Sequence, residues 1–205
     1  MTATENTSPV SETHTPEYWG RAYGQGARFL SVGREERQLL RAYAQVASGQ
    51  FAVDAGCGRG SLAATLAGWG LNVLGLDFSE VAVDAARGMF QEFENLRFDR
   101  YDFKADSEHH LLQPGTVDLI ICRLTLPFLD RRRFLGDCRR WLRARTGTLH
   151  ITTAVHELTP PEHVHRGLTL AEINGLDDGH WQHVTRYSIT AGGSVQGIIL
   201  RGPLR

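Results

Sequence analysis

Val53-Asp54-Ala55-Gly56-Cys57-Gly58-Arg59-Gly60 is the stretch whose reading decides the fold. A short apolar run ends in an acid, three closely spaced glycines follow, and a helical pattern opens at once with Ser61. Glycines at such a bend let main chain approach a ligand without a Cβ in the way, and the helix that follows offers unpaired amides. The pattern therefore predicts a buried strand, a tight turn and a helix, with a ligand at the strand's carboxyl end.

Outward from this loop, apolar runs and helical patterns alternate. Strands are expected at Phe51–Ala55, Asn72–Leu76, Leu96–Tyr101, Val117–Cys122 and Thr148–Ala154, with helices at Ser61–Trp69, Glu80–Phe93 and Arg131–Arg143 between them. Strands separated by helices of this length imply a parallel sheet covered on both faces. Before the loop, Leu39, Leu40, Tyr43, Val46 and Ala47 recur at helical spacing over Arg34–Ser48, and Gly49 stands at the expected stop. Thr169 with Glu172 forms a capping-box pattern for a short helix. The runs Trp181–Ile189 and Ser194–Leu200, on either side of Ala191-Gly192-Gly193, read as an antiparallel hairpin. The expected fold is α/β, doubly wound, with a mostly parallel seven-stranded sheet closed by that hairpin. Residues 1–15, rich in Thr, Ser, Glu and Pro, are expected to be a flexible tail, leaving 16–205 as one domain.

Composition narrows the function. The 205 residues carry 22 basic and 23 acidic side chains, a net charge of -1, so no overall field draws in nucleic acid or an anionic membrane. Arginines are concentrated in Arg131–Arg145, but Phe134, Leu135, Cys138, Trp141 and Leu142 mark a buried face there and leave the arginines solvated. No apolar run reaches the roughly 20 residues of a membrane span and no secretion signal is visible, so a cytoplasmic protein is expected. The three cysteines are far apart and never paired as Cys-x-x-Cys, and the histidine spacings fit no established zinc signature, so neither a disulfide nor a metal is expected.

The ligand follows from the acids. A dinucleotide fingerprint needs a third glycine at its sixth position, where this chain has Ser61 when counted from Gly56. Asp54 beside the loop would repel a pyrophosphate but suits a positively charged ligand, and S-adenosylmethionine carries an ammonium and a sulfonium. Asp77, about 20 residues past the loop at the end of the second strand, is placed to accept from ribose hydroxyls. Asp102 can accept from an exocyclic amine, and Phe103 can stack on a purine.

In these residues, and in Val117-Asp118-Leu119-Ile120-Ile121 and the closing hairpin, the chain resembles the class I S-adenosylmethionine-dependent methyltransferases of small molecules. The resemblance implies S-adenosylmethionine as cofactor, with Gly56 and Gly58 along its methionine part, Asp77 on the ribose, and Asp102 and Phe103 at the adenine. Asp54, Cys57, Phe78, Cys122 and Arg123 complete the expected cofactor set. Tyr18-Trp19-Gly20-Arg21-Ala22-Tyr23 looks like the aromatic N-terminal helix that such enzymes fold over the cofactor, which adds Tyr18 and Tyr23.

Two departures bear on the acceptor. Many hydroxyl-methylating members carry histidines after the fourth strand, where this chain has Leu126-Pro127-Phe128-Leu129-Asp130; the motif of amino-methylating nucleic-acid enzymes is missing there as well. The candidate bases are instead His156, His163 and His165, on the loop after the fifth strand, together with Tyr18 and Tyr23. The expected activity is methyl transfer to an O, N or S atom of a small molecule by a monomer or homodimer. The alternative is a cofactor-binding module or partner subunit without transfer chemistry.

Overall fold

The computed structural model describes residues 15–26, 32–160 and 167–204. Helices α1 (Pro16–Gly24) and α2 (Arg34–Tyr43) precede β1 (Phe51–Ala55), α3 (Ser61–Gly68), β2 (Asn72–Asp77), α4 (Glu80–Met89) and β3 (Leu96–Arg100). β4 (Leu119–Arg123), α5 (Arg131–Trp141), β5 (Thr148–Ala154), α6 (Leu170–Asn174), β6 (Trp181–Ser188) and β7 (Val195–Pro203) follow. The seven strands form one sheet in the order β3-β2-β1-β4-β5-β7-β6. Five run parallel, while β7 pairs antiparallel with both β5 and β6. This is the doubly wound sheet with a closing hairpin that the alternation implied.

Strand alternation sorts the core into two layers. Val53, Ala55, Ile120, Cys122, Leu149 and Ile151 point to one face, where Phe134, Leu135, Cys138 and Trp141 of α5 cover them. Ala52, Leu119 and Ile121 point to the other and pack under α3 and under Leu40 and Ala44 of α2 and its cap. Asp54 alternates with Val53 and Ala55, so its carboxylate lies on the α2 and α3 face.

Several elements stop early, each for a visible reason. α2 ends at Tyr43 rather than near Ser48, because Gln45 turns into the left-handed region at φ 54°. Tyr43 is 39% exposed and stacks on Tyr187 with ring centres 4.0 Å apart. α4 ends at Met89 because Phe90 leaves helical geometry and turns its ring towards Phe98. β4 starts at Leu119 rather than Val117: the Asp118 carboxylate accepts from the Phe51 amide and the Arg143 side chain, while Val117 makes a lone bridge to Leu142. That bridge also draws Leu142 and Arg143 out of α5. The capping box at Thr169 and Glu172 is formed in full.

On the α2 face, His150 Nε2 and the Tyr187 hydroxyl share a 2.6 Å hydrogen bond, and burial pushes the His150 pKa down to about 3, keeping the ring neutral. Tyr187 lies across Gly197 in the β6–β7 register. A Cβ at Gly197 would stand 2.2 Å from the Tyr187 ring. Gly197→Ala is therefore expected to cost about 1–3 kcal/mol through overpacking, read as a lower urea midpoint at unchanged slope.

Candidate functional site

The glycine loop is built by hydrogen bonds to the next strand. The Gly56 and Cys57 amides both donate to the Leu76 carbonyl, at 2.8 and 3.0 Å. Asp77 accepts from the Gly58 amide through Oδ2 and from the Ser79 amide through Oδ1, each at 2.9 Å. Gly56, Gly58 and Gly60 all have positive φ (75°, 52° and 81°), which side-chain-bearing residues seldom adopt. One carboxylate at the end of β2 thus fixes both its own turn and the loop after β1.

A cleft opens at the carboxyl ends of β1 to β4, with about 560 Å³ of empty volume including its open mouth. Gly56, Asp77, Phe78, Asp102 and Phe103 line it from the sheet, and Trp19 and Tyr23 from α1. Leu124, Thr125, Phe128 and Leu129 form the wall after β4, and Tyr101 and Lys104 complete it. Asp54, Asp77 and Asp102 stand at or just past the ends of three neighbouring strands, β1, β2 and β3. Asp77 and Asp102 face the cleft, whereas Asp54, two residues before Gly56, is 2% exposed and does not line it.

Asp54 is the site's unusual group. Its Oδ2 is buried with no hydrogen-bond partner. Burial pushes its pKa up to about 7, against the opposing pull of Arg123 and of the Ala63 amide in the first turn of α3. Asp77 is raised too, chiefly by burial, and its amide partners hold it down.

The remaining candidates divide. Trp19 and Tyr23 are four residues apart and share the face of α1 turned to the cleft, while Tyr18 lies off that face and packs edge-on against Trp19. Phe103 is a wall rather than an open stacking surface: its ring is held edge-on by Tyr101 and Phe134, at 5.0 and 5.3 Å. Asp102 Oδ1 accepts from the Lys104 amide at 2.8 Å. The glycines admit protein as well as ligand, since Cβ atoms at Gly56 and Gly58 would stand 2.3 Å from Thr125 Oγ1 and 2.7 Å from the Tyr23 hydroxyl. Arg123 is not in the cleft wall; it grips Glu36 of α2 through Nε and Nη2, at 2.7 and 2.9 Å. Burial raises the Cys57 and Cys122 thiols and the Tyr23 hydroxyl above their usual values. His156 sits on a turn after β5 and does not line the cleft; His163 and His165 lie outside the described residues.

The wall after β4 escaped the sequence reading, which looked there for histidine. Its signal was Leu124-Thr125-Leu126-Pro127-Phe128 itself: Leu124 takes a left-handed φ of 56°, and a single 3₁₀ turn over Leu126–Phe128 brings Phe128 over the cleft. A non-glycine residue held in that region marks a constrained segment.

Residues 53–149, which span the glycine loop to the start of β5, match the model of a methyltransferase domain family. Over that stretch, just under half of its length, the chain is similar to methyltransferase domains. Among curated methyltransferases, the ubiquinone biosynthesis O-methyltransferase of Thiobacillus denitrificans is 33% identical over 94 residues. The match covers 45% of this chain and 40% of that one, so the chain spans well under half of that relative's length. Among solved structures, the phosphoethanolamine N-methyltransferase 2 of Haemonchus contortus, in complex with phosphomonomethylethanolamine and S-adenosylhomocysteine, superposes at a TM-score of 0.70. It is 15% identical, over 92% of this chain and 58% of its own. A TehB-like methyltransferase from Corynebacterium glutamicum superposes at 0.63 with 20% identity, over 95% of this chain and 100% of its own. At these identities the two structures speak for the fold. Among the described residues, no group of three or more His, Cys, Asp and Glu is placed to hold a metal, and no helix is long and apolar enough to cross a membrane.

Because Asp77 holds two amides through charge-assisted bonds, Asp77→Ala is expected to lower stability by about 2 kcal/mol and to loosen the glycine loop. Urea unfolding and amide exchange at Gly58 check this.

Proposed function

We propose that the protein binds S-adenosylmethionine in the cleft and transfers its methyl group to an O, N or S atom of a small molecule. The observation that carries the reading is the buried Asp54 Oδ2, without a partner, two residues before a glycine that lines the cleft. A desolvated carboxylate kept in that state is costly unless a cation completes it. Asp77 and Asp102 add acceptors suited to ribose hydroxyls and an exocyclic amine, and each keeps lone pairs beyond its amide bonds. The residues present therefore fit the cofactor.

The bound cofactor supplies an electrophilic methyl. What remains for the protein is alignment and exclusion of water. Trp19, Leu124, Phe128 and Leu129 give the cleft an apolar wall, with the Trp19 and Phe128 rings 5.4 Å apart and edge to face. An acceptor bound there presents its nucleophile in line with the methyl while the aromatic pair closes off solvent. The cleft's size suits a small acceptor.

No imidazole lines the cleft among the described residues, and a Tyr23 hydroxyl raised by burial stays protonated. The acceptors that fit are those that ionise easily or carry a lone pair already: thiols, acidic phenols, amine free bases. Single replacements of His163 and His165 test the histidine base; a general base would be worth on the order of 10²-fold in turnover.

Methyl transfer is tested by incubating the protein with S-adenosylmethionine and a panel of catechols, thiols and amines, and following S-adenosylhomocysteine release. Binding with no turnover across such a panel would favour a non-catalytic module. Trp19→Ala is expected to lower kcat/KM about tenfold or more through lost acceptor packing, with cofactor affinity changed much less.

Asp54 sets a pH dependence. Its pKa is raised from 3.8 to about 7, so this group's contribution to the stability of the unliganded protein is full below about pH 4 and is lost as pH rises through about 7. A cationic ligand prefers the ionised form, so affinity runs the other way, tightening as pH rises towards and just past 7. Calorimetry of S-adenosylhomocysteine binding at pH 6 in buffers of different ionisation enthalpy should register proton release, and Asp54→Asn should abolish it.

A further inference from the structure

Asp54 has a second basic neighbour besides any ligand. β1 and β4 pair with Asp54 opposite Ile121, so Arg123, two residues further along β4, projects from the same face of the sheet as Asp54. A guanidinium on the diagonal neighbour position is the natural partner for an orphaned carboxylate. Yet Asp54 Oδ2 has no partner, and the Arg123 fork is committed to Glu36 at 2.7 and 2.9 Å. Both side chains of that pair are largely buried, 15% exposed for Arg123 and 11% for Glu36. Glu36 arrives from the first turn of α2, the helix packed over this face.

We propose that Glu36 is a positioning residue: its bidentate grip keeps the Arg123 guanidinium off Asp54, so that Asp54 Oδ2 remains available to the ammonium of a cationic ligand at Gly56. Arg123 acts on Asp54 as well as on Glu36, so its charge is shared between two acids. The charge left on Asp54 attracts the ligand's cation. Without the Glu36 charge, Arg123 loses its bidentate hold and its charge is no longer offset there, so it acts more strongly on Asp54 and the ligand's ammonium loses part of its counter-charge. A bidentate guanidinium–carboxylate pair is directional enough to enforce this division, where a lysine would not be.

The inference rests on the cofactor reading above, and its test separates the two. The probes are S-adenosylhomocysteine, which carries the ammonium, and 5′-methylthioadenosine, a thioether nucleoside that lacks it, titrated by calorimetry into wild type, Glu36→Gln, Arg123→Gln and the double variant. Glu36→Gln should weaken S-adenosylhomocysteine about tenfold or more and leave 5′-methylthioadenosine within about twofold. Adding Arg123→Gln should restore S-adenosylhomocysteine binding, because the competing cation is gone, whereas a pair needed only to anchor α2 stays broken in the double variant. Unchanged affinity in Glu36→Gln, equal loss for both probes, or no recovery in the double variant overturns the proposal. If Glu36→Gln fails to fold, the double variant decides alone: a wild-type ratio of the two affinities supports the proposal, and a ratio about tenfold lower overturns it. Failure of the wild type to bind either probe sinks the cofactor reading instead.

Discussion

The site depends on a carboxylate taken out of water with one of its oxygens left unpartnered. Asp54 sits at the end of a buried central strand, where its neighbours Val53 and Ala55 are fully enclosed and it is 2% exposed itself. Strand position dictates this burial, because β1 is flanked by β2 and β4 and covered on both faces. An acid there raises the free energy of the empty protein, and under the proposed function that cost becomes affinity when a cation arrives. Stability and binding are thus opposed at one residue, which is how strain and desolvation are generally used at functional sites.

Around it the structure divides acidic labour. Asp77 is occupied with backbone: it ties Gly58 and Ser79, so the loop after β1 and the turn after β2 are one hydrogen-bonded unit. Asp102 is engaged with the Lys104 amide on the next turn. Of the three, Asp54 keeps a buried oxygen out of the hydrogen-bond network, and Glu36, from outside the sheet, grips the Arg123 guanidinium. Three acids in similar sequence positions have different physical roles because their surroundings differ.

That division marks what the sequence could reveal. Periodicity of 2 and 3.6 placed the strands and helices, since burial of one face is a local pattern repeated many times over. The glycine loop was readable because three positive φ values in five residues demand glycine. Element ends were misread where tertiary bonds override propensity, as with Asp118 pinning Phe51 and Arg143, or Phe90 turning to Phe98. The partner of Arg123 was invisible, because Glu36 lies 87 residues away and nothing local marks it. The wall after β4 was missed for another reason: Thr125 and Phe128 are ordinary residues made functional by one left-handed backbone at Leu124.

Burial of the Cys57 sulfur has a chemical corollary for a protein that handles an alkylating agent. The loop carries a thiol of its own, packed beside Gly75 in the layer of Phe98 and not among the cleft-lining side chains. Only the thiolate attacks at a useful rate. Desolvation, reinforced by Asp77 and Asp54, holds that sulfur in its protonated form, so the carboxylates proposed to draw in a cationic alkylating agent also keep the loop's own nucleophile quiet.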